Sequence, residues 1–70
     1  MIILTNYQKI KVPKGSEFRW LKDVTFENED GCEIHFNENS GGVEVETQGY
    51  VSIEDLKEAI KQFEQGEIKL

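Results

Sequence analysis

Between Asp23 and Gly49 the chain has no lysine and no arginine, although eight carboxylates stand there: Asp23, Glu27, Glu29, Asp30, Glu33, Glu38, Glu44 and Glu46. Cysteine, proline, tryptophan and histidine each occur once in 70 residues. One cysteine excludes an internal disulfide, and the expected compartment is a reducing cytoplasm. No apolar run approaches the twenty or so residues a membrane-spanning helix needs, and the opening Met1-Ile2-Ile3-Leu4 is too short to anchor or export anything. No membrane is expected as a partner.

Catalytic signatures are also missing. There is no glycine-rich phosphate loop, no HExxH and no nucleophile with a neighbouring base. Carboxylates abound, but acids on a flat, wet face lack the pocket that would shift their pKa values. The chain is therefore read as not an enzyme and as needing no cofactor.

Cys32 and His35 are three residues apart. In a strand they point to opposite faces, Cys32 to the core and His35 outward, so they cannot share a metal ion. An EF-hand centred on Gly31 fails as well, because Phe26 and Asn37 would fill its first and last ligand positions. No metal site is expected.

What is present suits one small domain over residues 1–70. Hydrophobic residues make up 37% of the chain and charged residues 31%, a balance typical of folded globular proteins. The core of such a domain supplies only ~3–5 kcal/mol, so homodimerisation is an expected way to add burial.

The net charge of −6 is unevenly spread. Residues 1–22 carry Lys9, Lys11, Lys14, Arg19 and Lys22 against Glu17, which is +4. Residues 23–49 carry −8, and residues 50–70 carry five acids against three lysines, which is −2. The molecule is electrically polarised along its chain.

The C-terminal segment reads as a helix over about 53–65. Ser52 is a good N-cap, Asp55 occupies the N3 position of a capping box, and Val51 with Leu56 can form a hydrophobic staple. Ile53, Leu56, Ile60 and Phe63 recur at spacings of three and four, and Gly66 is a plausible terminator.

Alternation marks strands through Phe18–Phe26, Cys32–Phe36 and Val43–Thr47, and an N-terminal strand over 2–12 that Asn6-Tyr7 could interrupt. Ile10 and Val12 are expected inward and Lys9 and Lys11 outward, with residues 12–16 as the following turn. A three-residue loop, Glu29-Asp30-Gly31, pairs Phe26 with Ile34 and Val24 with Phe36, and needs Gly31 at positive φ. A second turn through residues 39–42 pairs Phe36 with Val45 and Ile34 with Thr47.

The fold class that follows is α+β: a small antiparallel sheet of about four strands in meander order, with one C-terminal α-helix packed on its apolar face. The expected core is Ile10, Val12, Phe18, Trp20, Val24, Phe26, Ile34, Phe36, Val43, Val45, Ile53, Leu56, Ile60 and Phe63. The opposite face assembles Glu27, Glu33 and Gln48; Thr25, His35 and Glu46; and Asp23, Asn37 and Glu44, with Glu38 near one turn.

That plan is shared by many small domains and does not dictate a function. The first functional reading is a non-enzymatic protein-interaction module, of inhibitor or adaptor type. It docks another protein with a basic surface through Asp23, Glu27, Glu33, His35, Glu44 and Glu46. The alternative is a weak single-stranded nucleic-acid binder using Lys9, Lys11, Lys14, Arg19 and Lys22, with Phe18 and Trp20 for stacking. That requires the two rings to be free, and their parity with Val24 and Phe26 places them in the core instead. A third reading is a structural domain that homodimerises.

Overall fold

A computed structural model describes residues 1–65. Four strands, β1 (Ile2–Lys14), β2 (Glu17–Asn28), β3 (Glu33–Asn39) and β4 (Gly42–Gln48), form one antiparallel sheet in the order β1-β2-β3-β4, followed by one helix, α1 (Ile53–Glu64). The meander and the C-terminal helix are those read from the sequence. Gly66, the expected helix terminator, lies outside the described residues. No helix among the described residues is long and apolar enough to cross a membrane.

The hairpin registers follow from turn chemistry. Asn28 and Cys32 close the β2–β3 loop, with the Asn28 N–H donating to the Cys32 carbonyl (2.9 Å) and the Gly31 N–H to that of Asn28 (3.1 Å). Gly31 adopts φ +82°, and Phe26 pairs with Ile34 and Val24 with Phe36. The nearly buried Asn28 side chain holds the loop from inside. Its Oδ1 accepts from the N–H groups of Asp30 and Cys32, and its Nδ2 donates to the Tyr50 carbonyl. Ser40-Gly41 forms the second tight turn, pairing Phe36 with Val45.

Gly49 brings the chain out of β4 at φ +87°, where a Cβ would lie 2.5 Å from the Cys32 Sγ. Cys32 is thus tucked, half-buried, beneath Gly49.

The first hairpin departs from expectation. β1 runs on through Pro13 to Lys14, and the turn is Gly15-Ser16 alone. Pro13 is tolerated because β1 is an edge strand, where a missing N–H costs no ladder bond. A register shift lies between Leu4 and Asn6: Leu4 pairs with Phe26 and Asn6 with Thr25, leaving Thr5 as an extra residue. One extra residue flips the alternation. Beyond it Tyr7, Lys9 and Lys11 share the helix-side face with Val24, Lys22 and Trp20, while Ile10 and Val12 turn to the other side. The expected inward Ile10 and outward lysines are therefore reversed.

The core is smaller than the sequence suggests. Ile2, Val24, Phe26, Ile34, Phe36 and Ala59 are buried, and Leu4, Tyr7, Val51, Leu56 and Phe63 pack against them. Phe36 stacks on Phe63 with ring centroids 4.9 Å apart and meets Phe26 edge-on at 6.0 Å. Helix α1 packs on the sheet through Leu56, Ala59 and Phe63, of which Ala59 is fully buried. Ile53 and Ile60, assigned to the core by their spacing, lie on the flank of the stripe and remain exposed. Val43 and Val45 are also exposed, because the helix sits over β1 and β2 and leaves β4 uncovered.

Length explains the remaining exposed residues. Twelve helical residues span ~18 Å, whereas the thirteen of β1 span ~43 Å. Beyond Lys22 no element among the described residues covers this face of the sheet, and Phe18 and Trp20, on the core-side face by parity, are 63% and 52% exposed.

Gly31→Ala should destabilise the fold by about 1 kcal/mol, and Gly31→Val by more, because positive φ strains any residue with a Cβ. The nearest atom to that Cβ would be 3.6 Å away, so the cost is conformational rather than a clash. Urea unfolding checks this; a neutral Gly31→Val would contradict the observed loop.

Candidate functional site

Two surfaces of opposite sign emerge from this geometry. The first is the sheet face turned away from α1. Its register aligns Glu27, Glu33 and Gln48; then Thr25, His35 and Glu46; then Asp23, Asn37 and Glu44. All six residues assigned to the acidic surface from sequence therefore share one uncovered face. Glu38 does not: it follows Ile34 and Phe36 on the helix side, where its carboxylate accepts the Lys22 N–H (3.0 Å). That bond replaces a β2–β3 ladder bond and marks where β3 stops supporting β2.

Within this face Asp23 is a hub. Its Oδ1 bonds to the His35 Nε2 (3.0 Å) and accepts from the Asn6 Nδ2 (3.2 Å), and its Oδ2 accepts from the Asn37 Nδ2 (2.6 Å). Partial burial pushes the Asp23 carboxyl up. The hydrogen bonds from His35, Asn37 and Asn6, with the charge of His35, outweigh it and hold the carboxyl below its ordinary value of 3.8. Sequence alone places His35 beside glutamates; the pairing with Asp23 is diagonal across the strands and was not read from it.

Asn6, Asp23, Thr25, Glu33, His35 and Glu46 line a shallow, open depression there. The hydroxyl residues lining the same depression are Thr5, Thr25 and Thr47, with Thr25 directly across from His35. Cys32 lies under Gly49, Ser52 caps α1 by accepting the Asp55 N–H (3.0 Å), and Ser16 and Ser40 sit in turns.

The second surface is the unsupported end of the β1–β2 hairpin, an arm running from the Lys9–Lys22 pair to the Gly15-Ser16 turn. One face carries Lys9, Lys11, Pro13, Phe18 and Trp20. The Lys9 Nζ lies 4.7 Å from the Trp20 ring centre and the Lys11 Nζ 4.6 Å from that of Phe18. Contacts of this kind are worth about 0.5–1 kcal/mol at exposed sites.

Lys22 differs from the other basic residues. Its Nζ lies 4.2 Å over the Phe63 ring and donates to the Phe63 carbonyl (2.8 Å), satisfying an orphan acceptor at the helix end. It is a structural cap and leaves the set of basic residues offered to a ligand. The Arg19 Nη2 reaches the Asn39 carbonyl at 3.5 Å.

Asp23 yields a pH prediction. A carboxyl with a depressed folded pKa contributes stability that is fully present above its unfolded value. That contribution is lost as pH falls through the folded value. Asp23→Asn should therefore be less stable than the wild type at neutral pH, and the gap should close below pH 3.8. Urea midpoints across an acid titration measure it; a gap that does not change with pH would show that the hub is not electrostatic.

Comparison with protein-family models, curated proteins and solved structures finds no match, so the functional reading rests on this geometry.

Proposed function

We propose that the protein is a small, non-enzymatic interaction module of the reducing cytoplasm that docks a basic protein partner through the uncovered sheet face. One observation carries the reading. Three consecutive rungs place Glu27, Glu33, Glu44 and Glu46 on one face with no lysine or arginine among those rungs. A face evolved for solubility alone is better served by mixed signs, and Glu27 opposite Glu33 is a like-charge pair that costs stability. Asp23 links Asn6, His35 and Asn37 across the centre of the face, and the strand register sets the spacing of the glutamates.

An interface between copies of this chain is the weaker reading. Val43, Val45, Ile53 and Ile60 do leave apolar surface open near β4. However, an antiparallel β4–β4 pairing would set Glu44 and Glu46 of one copy against those of the other, and like charges opposed across strands destabilise.

The test is capture from native host lysate on immobilised protein. Glu44→Lys with Glu46→Lys should weaken capture at least tenfold, equivalent to about 1.4 kcal/mol. Lys57→Glu with Lys61→Glu, on the helix, should leave capture intact. Both variants should keep a native far-UV spectrum. Undiminished capture by the first variant would overturn the reading.

A further inference from the structure

The β1–β2 arm is the part of the molecule that its own fold explains least. A two-stranded ribbon without a supporting third strand is marginal in water. This one also exposes Phe18 and Trp20 side by side on one face, and contiguous exposed apolar groups mark sites of contact. Its charge is the reverse of the body's: Lys9, Lys11, Lys14 and Arg19 against Glu17 alone.

We infer that the arm is a binding site for single-stranded nucleic acid, separate from the acidic face. Phe18 and Trp20 stand two residues apart on one strand, so their side chains leave the backbone ~6.8 Å apart. That spacing is about two base steps of a nucleic-acid strand, each ~3.4 Å. The same face interleaves those rings with Lys9 and Lys11.

Ring faces stack on bases whatever their sequence, and amines between the rings meet the phosphates. The lysines now resting on the rings are released to the backbone as bases take their places, since base stacking is stronger than an exposed cation–π contact. A duplex keeps its bases stacked on each other and offers the rings nothing. The acidic body makes the binding weak and salt-sensitive, and the rings discriminate by strandedness rather than sequence.

Trp20 is the chain's one tryptophan, so its fluorescence reports on the arm directly. At 50 mM salt, an unlabelled twelve-residue oligothymidylate should quench it saturably. A duplex of the same length and a polyglutamate of similar charge should quench it far less. Three or four neutralised phosphates predict a slope of about −2 to −3 in log affinity against log salt, a loss of roughly 20- to 50-fold between 50 and 200 mM.

Anisotropy of a labelled oligothymidylate tests variants that lack the fluorophore. Phe18→Ala with Trp20→Ala should weaken binding at least tenfold while the salt slope persists. Lys9→Gln with Lys11→Gln should flatten the slope by about 1.4. Both pairs lie outside the buried core, and native far-UV spectra verify that folding is intact. No quenching at 50 mM salt, equal quenching by duplex, or equal quenching by polyglutamate would overturn the inference; the last would assign the arm to an acidic protein instead.

Discussion

A single helix of twelve residues has to cover a sheet whose longest strands are more than twice its length. Every other feature of the structure depends on that mismatch. The patch the helix seals is the core built on Val24, Phe26, Ile34 and Phe36. Where the helix ends, Lys22 lays its stem along the core margin and caps the Phe63 carbonyl, closing the body at one edge. At that same place Glu38 ends the support β3 gives to β2. Body and arm are thus divided by two side chains acting on adjoining elements.

Much of the body was legible from sequence because its signals are local. Gly31 can take a positive φ that other residues resist, and only the three-residue loop keeps Phe26 with Ile34. Those two constraints set the register and, through it, the acidic face. Ser52, Asp55, Val51 and Leu56 likewise announced the start of the helix.

The arm was not legible, for two physical reasons. Alternation reports which face a residue shares but not whether anything covers that face, so Phe18 and Trp20 read as core. Their parity was right and their burial wrong. The second reason is the extra residue at Thr5. Ile2 and Leu4 point inward and so does Tyr7, a pattern no regular strand can satisfy; the interruption at Asn6-Tyr7 was its trace. Missing the shift put Ile10 and Val12 on the wrong side. The helix phase failed similarly: Ile53 and Ile60 fit an apolar stripe, yet the contact is narrow and selects the small Ala59.

The charge division along the chain becomes a division in space. Strand β2 crosses it, carrying Phe18 and Trp20 on the arm and Asp23 to Glu27 in the body. The acidic rungs and the basic, aromatic arm therefore occupy successive stretches of one sheet rather than neutralising each other on one surface. The molecule's long dimension, 44 Å, matches the length of β1. Two surfaces of opposite sign follow, one on the four-stranded body with the His35–Asp23 hub at its centre, the other on an unsupported ribbon.

The central claim is that the helix leaves the arm open, and Trp20 tests it most directly. Acrylamide should already quench its fluorescence well in the free folded protein, with only a modest further gain on unfolding in urea, as a residue 52% exposed requires. A shielded, blue-shifted Trp20 that becomes accessible only on unfolding would place the ring in a core and contradict the account.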